Sequence, residues 1–150
     1  MASCCEIGAI SATSNKDIHT KMREFGELIG TAFQIRDDIF DFSSKNSLIG
    51  KPVGNDLKEK KMTLPLIYAL KQVPKRDAKE YIGLIKKGSI KKEDIAKVIN
   101  FVKDQGGLEY AEKISKEYGN RAIKLLDSFT ESPAKKSLIE FCKFVTDRNK

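Results

Sequence analysis

The sequence predicts an all-α protein, and three observations carry that reading. Apolar residues recur at spacings of three and four along almost the whole chain, the alternation of half-buried strands is absent, and glycine and proline fall at joints between periodic stretches. About six or seven helices follow in order. The first, over 2–13, presents the small residues Ala2, Gly8, Ala9 and Ala12, which permit close approach of another helix. The second, over 17–42, sets Met22, Phe25, Ile29, Phe33 and Phe40 along one broad face with Leu28, Ala32, Ile35 and Ile39 beside it. So much apolar circumference predicts a central, buried helix.

Residues 43–60 break the periodicity with Ser43, Ser44, Asn46, Ser47, Gly50, Pro52 and Gly54, which predicts a long polar loop. Long loops inside compact domains are disproportionately functional. Helical spacing resumes at Thr63-Leu64-Pro65-Leu66, where proline suits a first turn, and runs to about Lys71. Shorter amphipathic helices are expected over 75–87 and 90–105, the latter starting near Ser89 and ending at Gly106-Gly107. A helix over 108–129 and another from Pro133 to about Thr146, capped by Ser132, complete the chain. With no internal repeat and no dividing linker, residues 1–150 read as belonging to a single domain.

A 150-residue chain with 40% hydrophobic and 33% charged residues has the composition of a folded domain rather than a disordered one. No run approaches the ~18 consecutive apolar residues of a membrane span. The start Met1-Ala2-Ser3-Cys4-Cys5-Glu6 lacks the basic-then-apolar pattern of a signal peptide, so a cytoplasmic protein is expected. Three cysteines form no CxxC pair and the single histidine is His19, which argues against a disulfide framework or a zinc site and for reduced, mostly buried thiols. The net charge of +7 suggests an anionic partner. Most lysines alternate with acids on helical faces, no arginine-rich run exists, and no aromatics interleave with lysines, so nucleic acid is not the expected partner.

One feature does not suit an ordinary core helix. Asp37, Asp38 and Asp41 stand among Phe33, Ile35, Ile39, Phe40 and Phe42 near the end of the most apolar helix. At about 100° per residue, Asp37 and Asp41 lie about 40° apart with Asp38 within an arc of about 100°, so three carboxylates share a face. Like charges at i, i+4 repel, and burying them unpartnered is costly, so a cation is the natural solution. Carboxylate oxygens select magnesium, manganese or calcium, and magnesium characteristically takes one or two carboxylates and completes its shell with water and phosphate oxygens. An EF-hand fails: counted from Asp37, the sixth position is Phe42 where glycine is required and the twelfth is Leu48 where glutamate is required. The following loop crowds Lys51, Lys58, Lys60 and Lys61 around Asp56, and cation plus lysine together clamp a polyanionic leaving group.

The run Phe25-Gly26 through Gly30-Thr31-Ala32-Phe33-Gln34-Ile35-Arg36-Asp37-Asp38-Ile39-Phe40-Asp41, then Gly50-Lys51-Pro52-Val53-Gly54-Asn55-Asp56-Leu57 and Lys61-Met62-Thr63-Leu64-Pro65-Leu66-Ile67, resembles the second half of trans-isoprenyl (polyprenyl, octaprenyl-type) diphosphate synthases. The combination FQIxDDxxD, GKxxGxDL and KxTLPL is far more specific than DDxxD alone. The resemblance spans essentially the whole chain, since Cys5-Glu6-Ile7-Gly8-Ala9 is similar to the family's preceding helix and the last helices follow its pattern more loosely.

That resemblance implies the C-terminal part of the isoprenoid synthase helical bundle. It implies Mg2+, with Mn2+ as a substitute, and the condensation of isopentenyl diphosphate with an allylic diphosphate. Residue by residue, Asp37, Asp41 and Asp56 would engage the metal and Asp38 would support it through water. Lys51 and Lys61 would hold the allylic diphosphate, Gln34 would orient the lysine and cation region, Phe33 would lie near the substrates, and Arg148 would approach isopentenyl diphosphate. Lys60 stands where glycine is common in the family. The family's first aspartate-rich motif, its upstream basic motif and a lysine-threonine pair before the Cys4-Cys5 helix are absent. The expectation is therefore part of a longer, homodimeric enzyme, inactive alone and exposing apolar surface. The alternative is a non-catalytic diphosphate-binding or partner subunit of a heteromeric synthase. A terpene cyclase shares the ionisation chemistry, but the GKxxGxDL and TLPL segments favour chain elongation. Octaprenyl and geranylgeranyl products are not separated by these residues.

Overall fold

The computed structural model of the chain describes residues 1–43, 54–86 and 90–148. Among them run eight helices: α1 (Ala2–Ala12), α2 (Lys16–Asp41), α3 (Asn55–Lys58), α4 (Leu64–Lys71), α5 (Lys75–Lys86), α6 (Lys92–Asp104), α7 (Gly107–Leu126) and α8 (Pro133–Asp147). The all-α expectation holds, and none of these helices is long and apolar enough to cross a membrane. Ser89, proposed as a helix start, lies outside the described residues. The α3 turn falls inside the stretch expected to be loop, for a reason that emerges at the site.

The described residues form two compact units, 1–36 with 113–148, and 37–112. In the first, Phe25, Leu28, Ile29 and Ala32 of α2 form a core with Ala122 and Leu126 of α7 and Cys142 and Val145 of α8. Gly26, Ile35 and Arg36 are the other buried residues of α2. Glu24, Glu27, Thr31 and Gln34, spaced at three and four, leave the opposite face exposed, so the helix is amphipathic rather than buried all round. The close approach expected of α1 occurs at Ala2, since a Cβ on Gly26 would lie 2.7 Å from the Ala2 Cα. Gly8 and Ala12 are exposed instead. Ser115 Oγ, fully buried, donates to the Ala32 carbonyl at 3.1 Å and ties α7 to α2. Ser132 caps α8 as expected, accepting from the Lys135 N–H at 3.1 Å, with Pro133 in the first turn. The apolar side chains of Ile7, Ile10, Phe141 and Phe144 remain exposed. Of the thiols, Cys142 is buried and desolvation pushes it up to about 11, while Cys5 is half-buried and Cys4 exposed. Mostly buried thiols were expected; one of three is.

The second unit packs Phe42, Leu57, Leu66, Ala69, Ile85, Ile95, Val98, Ile99, Phe101 and Val102 into its own core. Tyr81 stacks on Phe101 and Tyr68 on Tyr110, with ring centroids 3.8 and 4.0 Å apart. Gly106, at φ +71°, terminates α6 in the left-handed conformation that glycine accepts at no steric cost. A side chain on Gly107 would overlap the Pro65 carbonyl, so the backbones of α7 and α4 meet directly.

Candidate functional site

The last turn of α2 carries the acidic motif, and the structure shows how each carboxylate is used. Asp37 is exposed, while Asp38 and Asp41 are half-buried. Asp41 reaches across to α3: its Oδ1 accepts the Asn55 N–H and its Oδ2 the Asp56 N–H, both at 2.9 Å. The Asp41 carbonyl accepts the Gly54 N–H, also at 2.9 Å. A single helical turn is too short to form on its own, and its first N–H groups have no partners within the helix. Asp41 supplies them. Gly54 makes the join possible, because it adopts φ +78° and any side chain there would overlap Ile95.

The same turn aims Asp56 and Lys61 at each other. The Lys61 N–H donates to the Asp56 carbonyl at 2.8 Å. The Lys61 ammonium donates to Asp56 Oδ1 at 3.2 Å and pairs with Glu59 Oε2 at 2.7 Å. Glu59 is held by the Asn55 side-chain amide at 2.9 Å. These bonds, Glu59 first and Asp56 second, raise the Lys61 pKa. Lys60 sits at φ 59°. That is the left-handed conformation glycine adopts without strain and other residues rarely do.

Asp38 is the electrostatic anomaly. Burial and then the Asp56 charge push its carboxyl up to about 6, against opposing help from the Leu64 N–H at the start of α4 and from Lys61. Burial likewise raises Asp41, with the Asp56 and Asn55 N–H groups pulling the other way. A half-buried carboxylate beside a second negative charge is what a divalent cation relieves. No three His, Cys, Asp or Glu side chains among the described residues are gathered to hold a metal unaided. The carboxylate oxygens of Asp37, Asp38 and Asp56 are hard donors of the kind magnesium takes one or two of, completing its shell with water and phosphate oxygens.

The second unit thus brings together Asp38, Asp41, Asp56 and Lys61, with Asp37 on the same turn of α2. Lys51 lies outside the described residues. In the first unit, the Arg148 guanidinium lies 3.9 Å above the Phe33 ring and donates to the Phe33 carbonyl at 3.2 Å. Arg36, itself buried, donates to the Arg148 carbonyl. Gln34 is exposed on the next position of α2. Sequence reasoning missed Glu59 and Asn55. Their i, i+4 spacing was the available signal, but it has meaning only once residues 55–58 are known to be helical.

The chain is 31% identical over 148 residues to heptaprenyl diphosphate synthase component 2 of Bacillus subtilis, covering 99% of this chain and 41% of that protein. It superposes on the crystal structure of geranylgeranyl pyrophosphate synthase from Bacteroides thetaiotaomicron with a TM-score of 0.88 at 36% identity, covering 98% of this chain and 48% of that one. The polyprenyl synthase of Caulobacter crescentus, solved with calcium and isoprenyl diphosphate, matches with a TM-score of 0.86 at 27% identity over 99% of this chain and 45% of that one. This chain spans under half the length of each. The family model for polyprenyl synthetases matches residues 1–102, and the chain belongs to that family.

Proposed function

We propose that this chain supplies the diphosphate-ionising part of a trans-prenyltransferase site, which condenses isopentenyl diphosphate with an allylic diphosphate into a longer polyprenyl diphosphate. The observation that carries this reading is the charge imbalance around Asp38 and Asp56, with Lys61 fixed beside them. Asp37 and Asp56 would hold Mg2+, or Mn2+ in its place, with Asp38 supporting it through water, and the calcium in the Caulobacter crescentus structure supports a divalent site. The bound cation supplies Lewis-acid stabilisation of the departing diphosphate. Lys61, with Lys51, neutralises the same leaving group as the allylic carbon–oxygen bond breaks and its electron pair goes to diphosphate. By the family resemblance, Gln34 would orient the cation region, Phe33 would lie near the substrates and Arg148 would approach isopentenyl diphosphate. The intact assembly is read as a homodimer in the cytoplasm.

Calorimetry with inorganic pyrophosphate tests this. Binding should require Mg2+ and fall at least tenfold in Asp37→Asn, consistent with loss of one charged contact. Equal binding with and without Mg2+, or steeply salt-dependent DNA binding instead, would sink the reading. The word "component" in the Bacillus subtilis relative's name supports a second reading, in which this chain works only beside a different subunit. Chain elongation that appears only on adding such a subunit would favour it.

A further inference from the structure

We infer that Asp41 is a positioning residue, spent on building the α3 turn, and that it serves the site through Asp56 and Lys61 rather than by ligating metal. Both of its carboxylate oxygens are taken by backbone donors of α3, at 2.9 Å each, and its own carbonyl holds Gly54. The α3 turn has no other cap, because its N-cap residue is Gly54, which has no side chain. Releasing Asp41 therefore frees the N–H groups of Asn55 and Asp56 together. Those two residues anchor everything else in the cluster: Asn55 holds Glu59, Glu59 and the Asp56 carboxylate hold the Lys61 ammonium, and the Asp56 carbonyl holds the Lys61 N–H. One carboxylate thus sets the direction of an acid and a base at once. A metal drawing on Asp41 would compete with the bonds that aim Asp56.

The importance of Asp56 and Lys61 rests on the proposed function, but the role of Asp41 is tested without it. The experiment is NMR on the 150-residue chain in chelator, with no metal present. Asp41→Asn keeps the side-chain shape and loses one acceptor oxygen. The variant should speed hydrogen exchange at the Asn55 and Asp56 amides about tenfold, the scale of a lost cap. It should also broaden the Lys61 side-chain ammonium signal, while core amides such as Val102 stay protected. Unchanged Asn55, Asp56 and Lys61 signals in this metal-free variant would overturn the proposal.

If Asp41→Asn does not fold, the parent chain still decides. Adding MgCl2 with inorganic pyrophosphate should leave the Asn55 and Asp56 amides as protected as before, or more so. Faster exchange there would mean that Asp41 leaves the cap for the metal, and the proposal would fail. Loss of protection in the metal-free variant, with no pyrophosphate binding by the parent, would support Asp41 as the cap while refuting the proposed function.

Discussion

Two regions of α2 treat charge in opposite ways. At its C-terminal end, Asp41 is satisfied by N–H groups 14 and 15 residues away, and Asp38 remains half-buried with its ionisation resisted by Asp56. Two turns earlier, Phe33 and Arg36 meet Arg148 over separations of 115 and 112 residues, where guanidinium groups are matched by backbone carbonyls and an aromatic face. In the acidic region burial and then a second carboxylate oppose the charge of Asp38, whereas the basic one is bonded to backbone and ring. The comparison teaches that charged residues of one helix can meet opposite surroundings, one set opposed by burial and like charge and the other bonded to backbone carbonyls.

The largest expected effect tests whether the acidic region depends on its joint. Gly54→Ala should cost about 2–5 kcal/mol, combining the left-handed backbone with overlap against Ile95. Thermal or denaturant unfolding measures this, and a cost below about 1 kcal/mol would mean that the α3 join is not as described. Arg148→Ala comes next, at about 1–2 kcal/mol for the lost ring contact and carbonyl bond. Thermal unfolding of the variant measures it, and an unchanged midpoint would mean that these contacts add nothing to stability.

The smallest effect has the opposite sign. The folded Asp38 carboxyl titrates near 6, whereas an unfolded aspartate titrates near 3.9. Between these values the folded chain binds more protons than the unfolded one, so stability falls as pH rises through the window and stays lower above it. Asp38→Asn removes that penalty. Discounted for the solvent that reaches this half-buried group, the variant should be about 1 kcal/mol more stable than the parent at pH 7 and no more stable below about pH 4. A pH series of melting curves in chelator checks it, and a parent that outlasts Asp38→Asn at pH 7 would contradict the charge imbalance.

All seven periodic stretches read from sequence begin and end within a few residues of their helices, because their apolar spacing and caps are local. The acidic motif and its lysine were legible for the same reason: they are adjacent residues on one helix and one loop. What sequence could not show is what depends on distant partners. The α3 turn has no apolar period of its own, and the residue that caps it lies in another helix. Lys60 looked like a surface lysine, and its left-handed backbone appears only once the chain turns back from Asp56 to Leu64. The breadth of apolar residues on α2 overstated its burial, since composition counts side chains without saying which face meets the core.

The Asp41 bridge also sets an order of events in time. A turn whose cap sits 14 residues upstream cannot persist until the intervening span has closed, and that closure carries an entropic cost that local helices such as α7 never meet. In folding, α3 should therefore arrive late, with the lysine and acid it aims assembled only after both neighbouring helices exist. Substitutions there should speed unfolding and leave the folding rate nearly untouched.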